Sequence, residues 1–518
     1  MQRAQRLLDG RLRPAGQSGG GVVAQFAGDA SHHQRRLAQA VHLRVGLEGL
    51  GRERHHRRPP HGCTRRLRGG GPGQEPVSDQ PNLTDHRATG PRAARDRSRS
   101  PRVLRLVAVV VLLVLWSWVP ALWAGGPDLR PEVRLGADTL LTDPAPLAGK
   151  RVGLVTHLAG TTAAGDLTAA ALARTPGVRL TALFAPEHGF DGSAGAGVPV
   201  ASTHIGGAPG AILPSRTPVY SLYGGAFRPT RQMLARVDVL VVDLQDAGTR
   251  PYTYASTMAL VMAAAREAGK PVVVLDRPNP LGGTVVDGPV LEPAFRSFIG
   301  LYPIPLVHGM TLGELARLYN EAFGIGARLT VVPMQGWSRT MPWTETGLPW
   351  VNPSPGLTHA DAPFYYAATG PLDGTNLWNG VATTSRFQVV LAPWIDGARL
   401  AARLNRRGLP GVRFSPSAVP HPRTGRVWRG VRLHVTDRAA FRPATTTVYV
   451  LAEIRDLHPG QLRFRLPRRG RALFDVVWGT KQVRVDLTRG LPAEAIVARW
   501  QPALRRFEAL RSRYLLYE

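Results

Sequence analysis

The chain has 518 residues, 43% of them hydrophobic, so it is long enough to form two or three domains with buried cores. The formal net charge is +29, but residues 1–102 alone carry 20 arginines against 8 acidic residues. Because the chain has 62 arginines and only three lysines, this excess indicates a bias in amino-acid usage, and nucleic acid is not expected as a partner.

The first 124 residues differ in composition from the rest. Residues 1–100 show no sustained apolar period, so they are predicted to be disordered and to represent an over-extended start of the reading frame. In residues 101–124 a basic start precedes a long apolar run that ends in small residues, which predicts a signal peptide, with an uncleaved membrane anchor over 103–124 as the alternative. Both alternatives predict an exported protein.

From residue 131 to residue 380, apolar runs alternate with helical patterns in the manner of βαβ units. Strands are expected at Val152–Thr156, Arg179–Phe184, Val219–Leu222, Asp238–Asp243 and Pro271–Asp276, and helices at Leu167–Arg174, Thr230–Ala235 and Thr253–Glu267. Uniformly apolar strands are typical of a parallel sheet covered by helices on both faces. The sequence therefore predicts an α/β fold with a Rossmann-like, doubly wound parallel sheet.

Residues 381–518 are predicted to form a second, smaller domain of mixed α/β structure, with the boundary inside 365–400. Helices are expected at Asp396–Arg407 and Pro492–Tyr514, and strands near Arg432–Val435, Thr446–Ile454 and Gln482–Val485. No internal repeat is found, and the pattern does not indicate an oligomeric state.

Polar residues follow four of the five predicted strands. They stand at Thr156–His157, Pro186–Gly189, Asp243–Arg250 and Asp276–Pro280. In open parallel sheets, ligands bind in the crevice outside the carboxyl ends of the strands. A single group of this kind is often only a helix cap, but four at one edge indicate a functional site.

Glu187 is the best candidate for a general acid, because it stands beside His188 in a tight loop where burial would favour proton donation. The alternative is a structural salt bridge to Arg250 or Arg277. Asp246 or Asp243 supplies the second carboxylate that hydrolysis of a glycosidic bond requires. Arg250, Tyr252, Tyr254 and Asn279 suit the binding of an acidic sugar, although the tyrosines could equally be packing residues.

Two other motifs are weaker. The run Gly192–Gly197 resembles a phosphate-binding loop, but the Lys-Ser/Thr of a P-loop is missing and a flexible loop is favoured. His157, His188 and His308 could ligate a metal, yet no HxH or HExxH spacing supports one. Neither a metal nor a cofactor is therefore predicted.

Several long motifs resemble a known family. They include FAPEHGF (184–190), DLQDAGTRPYTYASTM (243–258), DRPNPLGG (276–283), HGMTLGELARLYN (308–320), GLPWVNPSPG (347–356) and GTN (374–376). In sequence and order they are similar to the exo-β-N-acetylmuramidases of glycoside hydrolase family 171, which are also known as DUF1343 proteins. The resemblance covers about residues 131–518.

The resemblance implies a Rossmann-like domain, a smaller C-terminal domain and a cleft between them. It also implies release of N-acetylmuramic acid from the non-reducing ends of peptidoglycan fragments, so muropeptides are the expected partners. The implied catalytic residues are Glu187, Asp246 and His188. The implied substrate-binding residues are His157, Gln245, Arg250, Tyr252, Tyr254, Asp276, Arg277, Asn279, His308, Asn352, Asp373 and Asn376.

The chain departs from the family pattern at three places. Val198 ends a stretch where the family has Glu, Asp373 stands in place of Glu, and Val381 in place of Arg. A second hypothesis is therefore a catalytically silent protein that binds cell-wall glycan on the same scaffold. A third, a nucleotide-binding Rossmann protein, requires a Gly-rich turn directly after the first strand, which Thr156–Gly160 does not supply.

Overall fold

The computed structural model describes residues 132–205, 213 and 216–518. The predicted disordered segment, 1–100, and the predicted signal or anchor segment, 101–124, lie outside the described residues. Within the described ranges, no helix combines the length and the apolar character needed to cross a membrane.

The first domain contains a seven-stranded sheet with strand order β3-β4-β2-β1-β5-β6-β7. Every neighbouring pair is parallel except β3 and β4, which are antiparallel at one edge. The strands are β1 (Arg151–Thr156), β2 (Arg179–Ala185), β3 (Thr203–His204), β4 (Pro218–Ser221), β5 (Val239–Asp243), β6 (Val272–Leu275) and β7 (Leu329–Val332). The predicted α/β fold with a mainly parallel sheet is confirmed.

Helices cover both faces of this sheet. They are α1 (Gly136–Thr142), α2 (Thr168–Arg174), α3 (Arg231–Leu234), α4 (Tyr254–Glu267) and α5 (Leu312–Glu321). Leu240 and Val242 of β5 pack with α4 and α5 in one core, while Val239 and Val241 pack with α1 and α2 in another. Since alternate strand residues point to opposite faces, both faces must be apolar, which explains the uniformly apolar strands.

The second domain is built on a three-stranded antiparallel sheet with order β8-β10-β9. Its elements are α6 (Ala362–Thr369), β8 (Val389–Ala392), α7 (Gly397–Arg406), β9 (Val412–Pro420), β10 (Val427–Val435), α8 (Pro443–Leu457), α9 (Leu473–Trp478), α10 (Gln482–Thr488) and α11 (Ala493–Arg511). Phe364 and Ala367 of α6 already belong to the core of this domain. The predicted boundary at 380/381 stays a prediction.

Two predicted strands of the second domain are wrong. Thr446–Ile454 lies inside α8, and Gln482–Val485 lies inside α10. Both runs are rich in β-branched residues, which favour strands. Their buried residues nevertheless follow helical spacing, as Val448, Leu451 and Ile454 do in α8, so tertiary packing decides the outcome.

The end of the chain returns from the second domain to the first. Beyond α11, the Tyr517 hydroxyl donates to Asp276 Oδ2 at 2.7 Å and the Leu516 amide donates to Glu314 Oε1 at 2.9 Å. Arg511 donates to the Gly309 carbonyl at 2.7 Å. The last residues therefore hold the two domains together at the sheet edge that carries the predicted site.

Candidate active site

Glu187 lies in the loop that follows β2 and is buried. Its Oε1 accepts a hydrogen bond from the Gly197 amide, and its Oε2 accepts one from the Thr253 hydroxyl, both at 2.7 Å. The structure pairs Arg277 with Asp243 and points Arg250 at carbonyl groups, so the alternative of a salt bridge to Glu187 is not observed. The Glu187 carboxylate is therefore held by neutral donors.

The loop around Glu187 has an unusual backbone. His188 has φ 74° and Gly189 has φ 82°, so both adopt the left-handed conformation, which is costly for a non-glycine residue. The conformation is fixed because His188 Nδ1 is 2.7 Å from the Ala194 carbonyl, to which it donates. The run Gly192–Gly197 thus closes over Glu187 and supplies an amide to it, which is a role other than phosphate binding.

Asp246 lies in the loop that follows β5 and is also buried. Its Oδ2 accepts from the Gly248 amide at 2.8 Å and is 3.6 Å from His308 Nε2. Since His308 Nδ1 accepts from the Met310 amide at 3.2 Å, the imidazole proton is on Nε2, facing Asp246. Asp246 Oδ1 has no hydrogen-bond partner among the described residues, although almost none of its surface is exposed.

His157 is a neutral, buried residue behind this loop. Burial, followed by the charges of Arg277 and His188, lowers the pKa of His157 to about 3. Its Nε2 accepts from the Gln245 amide at 3.1 Å, so Nδ1 carries the proton. Neither His157 Nδ1 nor Gln245 Oε1 has a partner in the part of the chain that the structure describes.

The two predicted arginines contact protein groups. Arg277 Nε donates to Asp243 Oδ1 at 2.5 Å in a fully buried ion pair. The Arg250 guanidinium donates to the carbonyls of Pro289, Ile304 and Val477 at 3.1, 2.9 and 2.9 Å. Their predicted role in substrate binding stays a prediction, while the geometry gives each a structural role.

The side chains of Asp276 and Asn279 also form hydrogen bonds with protein groups. Asp276 accepts hydrogen bonds from the Thr311 and Tyr517 hydroxyls and from the amides of Gly313 and Arg277. Asn279 Nδ2 donates to the Met310 carbonyl at 3.0 Å, and its Oδ1 accepts from the Leu281 amide at 2.9 Å. These contacts shape the loop after β6 and leave few groups for a ligand.

Tyr252, Tyr254 and Tyr366 form a cluster of rings near the carboxylates of the predicted site. Tyr252 packs edge-on against Tyr254, with ring centroids 4.7 Å apart, and against Tyr366 at 6.1 Å. Burial raises the pKa of Tyr366, and the negative charges of Asp373, Glu187 and Asp246 raise it further. The half-buried Tyr366 phenol is therefore within electrostatic range of all three carboxylates.

Sequence reasoning missed Tyr223, Thr253 and Tyr366. Burial raises the pKa of Tyr223, and the charge of Glu187 and a hydrogen bond to it raise it further, so the phenol lies beside that carboxylate. Tyr223 follows β4, where the rule about strand ends could have found it. Tyr366 comes from the second domain, and no local pattern marks it.

Asp373 and Asn376 lie where the second domain approaches the site. The Asp373 side chain is exposed to solvent, yet burial raises its pKa to about 6, against the opposing charge of Arg465. Asn376 Nδ2 donates to the Gln461 carbonyl at 2.8 Å, which fixes the neighbouring chain.

Asn352 is exposed, and the segment that holds it is fixed to the Glu187 loop. The Tyr254 hydroxyl lies 2.8 Å from the Pro353 carbonyl and 3.2 Å from the Glu187 carbonyl, and donates to them.

Among the described residues, no three His, Cys, Asp or Glu side chains are arranged to hold a metal ion.

The fold and the site together define a class of protein. Two buried carboxylates follow strands of a Rossmann-like sheet, and a third carboxyl, on the smaller domain, lies within electrostatic range of the same tyrosine, Tyr366. Carboxyl groups at this end of a parallel sheet suit the hydrolysis of a glycosidic bond. The site thus has the features of a two-domain α/β glycoside hydrolase.

Comparisons with known proteins identify the family. The family model described as exo-β-N-acetylmuramidase NamZ, N-terminal, matches residues 152–361, and its C-terminal counterpart matches residues 364–517. The chain is 44% identical over 396 residues to the peptidoglycan β-N-acetylmuramidase NamZ of Bacillus subtilis (strain 168), covering 75% of this chain and 92% of that protein. The chain belongs to the exo-β-N-acetylmuramidase NamZ family.

Two crystal structures of DUF1343 family proteins from Bacteroides fragilis NCTC 9343 share the fold. One is 35% identical with a TM-score of 0.68, covering 76% of this chain and 100% of that chain. The other is 27% identical with a TM-score of 0.56, covering 75% of this chain and 99% of that chain. The family resemblance and the two-domain fold expected from the motifs are confirmed.

Proposed function

We propose that the chain is an exo-acting glycoside hydrolase that releases N-acetylmuramic acid from the non-reducing ends of peptidoglycan fragments. Membership of the NamZ family and the 44% identity to a peptidoglycan β-N-acetylmuramidase support this function. The observation that carries the mechanism is the buried Glu187 carboxylate, held by Gly197 and Thr253 without a cationic partner.

Glu187 acts as the general acid that protonates the glycosidic oxygen as the bond to the sugar breaks. The Thr253 hydroxyl donates to Oε2, and a carboxylate oxygen has a second lone pair, which can hold the proton that passes to the glycosidic oxygen. The Gly197 amide can only donate, so it holds the other oxygen, Oε1, in both states. The acid therefore keeps its orientation throughout the proton transfer.

Asp246 supplies the second carboxylate. The negative charge of Asp246 stabilises the positive charge that develops on the sugar ring as the leaving group departs. His308 Nε2, 3.6 Å from Asp246 Oδ2, limits how the carboxylate can turn. Asp373 is the third carboxyl group within electrostatic range of Tyr366.

The lactyl carboxylate of muramic acid requires a cation at the cleft. Arg250 and Arg277 are committed to protein partners. Arg465 is exposed and close enough to Asp373 to lower its pKa, so it is the arginine that we assign to this carboxylate.

The first test uses the full chain with a chromogenic β-N-acetylmuramide and with the β-N-acetylglucosaminide that lacks only the lactyl group. We expect release from the muramide alone. Glu187→Gln should lower kcat by roughly 10²- to 10⁴-fold, because it removes the proton donor while its amide can still bond Thr253 and Gly197. Unchanged release by Glu187→Gln would contradict the assignment of the acid.

A second candidate function is a binding protein without turnover. The observation that favours it is the replacement of charged family residues by Val198 and Val381, both of which are exposed on the surface. Release from neither substrate, with muropeptide binding retained, would establish this function.

The proposed substrate is a component of the cell wall, which agrees with export directed by residues 101–124. The protein is then either secreted or tethered to the membrane through residues 103–124. The N-terminal sequence of the mature protein decides between the two, since a secreted form begins after the apolar run. A mature protein that contains any of residues 1–100 would contradict the prediction that they are an over-extended start of the reading frame.

A further inference from the structure

Three aromatic rings form a cluster on the second domain. His421 stacks on Trp428 with ring centroids 4.6 Å apart and an interplanar angle of 25°. Trp378 packs against both, with centroids 4.8 Å from His421 and 5.8 Å from Trp428. We call these three residues, together with Val381, the aromatic patch.

The aromatic patch is part of the surface. Trp378 and Trp428 are both half-buried, and Val381 is 47% exposed. Trp428 lies on the part of the β9–β10 hairpin that extends past the end of β8, where Val419, Pro420 and Val427 are not buried either. Aromatic rings in such a position have a free face, and contiguous exposed apolar surface marks an interaction site.

The rings are held in place before any ligand binds. The Trp378 indole N–H donates to the Val381 carbonyl at 3.2 Å, and the Trp378 amide donates to the Leu391 carbonyl at 2.9 Å. His421 is fixed between the two tryptophans, and burial together with the charge of Arg423 lowers its pKa, which favours the neutral ring. A rigid aromatic surface suits a ligand with flat apolar faces.

The loop 376–387 connects the aromatic patch to the cleft. It begins at Asn376, three residues after Asp373. It ends at Phe387, whose ring packs edge-on against Tyr366 at 5.1 Å, and Arg386 donates to the Pro355 carbonyl. Trp378 and Val381 of the aromatic patch therefore lie on a loop whose two ends border the predicted site, and Trp378 follows Asp373 by five residues.

We propose that the aromatic patch binds the part of the glycan chain that lies beyond the scissile bond. This inference rests on the proposed function, since an enzyme that removes the terminal sugar must leave the rest of the chain outside the cleft. Pyranose rings have apolar C–H faces that stack on tryptophan, and stacking releases water from both surfaces. The preferred substrate is then a chain of several N-acetylated amino sugars.

The experiment uses the full chain and compares peptide-free glycan strands with the chromogenic monosaccharide muramide. Trp428→Ala and Trp378→Ala should each raise KM for peptide-free glycan strands by roughly 3- to 10-fold, because each variant loses one aromatic contact with the strand. The value of kcat should stay the same. Both variants should hydrolyse the chromogenic monosaccharide muramide like the unmodified chain, because that substrate does not reach the patch. Trp428→Phe is the matched control, since it keeps an aromatic face and should retain most of the affinity.

Three results would overturn the proposal. The first is an unchanged KM for strands in stably folded Ala variants. The second is an equal loss of activity on strands and on the monosaccharide muramide. The third is a change of oligomeric state in the variants, which would assign the patch to contacts between copies of the chain. If the unmodified chain hydrolyses neither substrate, the proposed function fails, but binding of strands measured by calorimetry still tests the patch. Weaker strand binding by Trp428→Ala would support it, and equal binding would refute it.

Discussion

At the scale of single residues, the site depends on which atom of each histidine carries the proton. His308 uses Nδ1 to accept from Met310 and presents Nε2–H to Asp246. His157 uses Nε2 to accept from Gln245, and its Nδ1–H group lacks a partner within the described part of the chain. Backbone amides therefore determine both tautomers, so neither could be predicted from the sequence.

The contact of His308 with Asp246 can be tested separately from its contact with the Met310 amide. His308→Asn places an oxygen near the position of Nδ1, which keeps the bond from Met310, but it removes the donor that faces Asp246. We expect kcat on the chromogenic muramide to fall roughly 3- to 10-fold, because the contact at 3.6 Å is longer than a hydrogen bond and contributes about 1 kcal/mol, with KM nearly unchanged. His308→Gln keeps a donor near Asp246 and should recover part of kcat. Equal activity of the two variants would argue against an orienting role.

At the scale of elements, the loop after β2 shows how backbone conformation supports chemistry. Gly197 has φ 75° and supplies the amide that holds Glu187. Gly177 has φ 77° in the turn before β2, and a methyl group added at either glycine would meet no atom within 4 Å. Alanine at Gly197 or at Gly177 would therefore be equally strained, but only Gly197 contacts Glu187.

This pair gives a controlled experiment. Gly197→Ala and Gly177→Ala should each lower the free energy of unfolding by about 1 kcal/mol, because alanine is strained at positive φ. Only Gly197→Ala should also lower kcat, since a shift of its amide releases the Glu187 oxygen. Urea unfolding and muramide hydrolysis measure the two effects. A matching loss of kcat in Gly177→Ala would show that strain alone is responsible.

The elements also show what the sequence could predict. The five apolar strands are predictable because burial on both faces leaves an uninterrupted apolar run. The runs at Thr446–Ile454 and Gln482–Val485 give the wrong prediction, because local β propensity opposes helices that only packing stabilises. Glu187 and Asp246 could be proposed from strand ends, whereas Tyr366 could not, because it reaches the site only through contact between domains.

At the scale of the whole molecule, one carboxyl group links the two domains. Burial raises the pKa of Asp276 to about 6, and hydrogen bonds from Tyr517 and Thr311 oppose that rise. An unfolded aspartate has a pKa of about 3.9. Since the folded pKa is higher, this group favours the folded state fully below about pH 4, and its contribution is lost as the pH rises through 6.

Tyr517→Phe should make this pH dependence steeper. Removing the hydroxyl takes one donor from the ionised carboxylate, so the loss of unfolding free energy should be about 1 to 3 kcal/mol at pH 8 and smaller at pH 5. Urea unfolding at the two pH values measures the difference. Tyr514→Phe is the control, because within the described residues no hydrogen bond of its hydroxyl is found. An equal loss at both pH values would show that Asp276 is not the group involved.

The contact between Tyr517 and Asp276 joins residues 241 positions apart, and the whole second domain lies between them in the sequence. The chain leaves the ribosome from its N-terminus, so β6 and the loop after it emerge long before their partner is synthesised. The first domain can complete this hydrogen-bond network only after the second domain has been translated. A protease that cleaves just after α11 would therefore reverse a late step of folding, at the carboxyl end of β6, one strand in from the edge of the sheet.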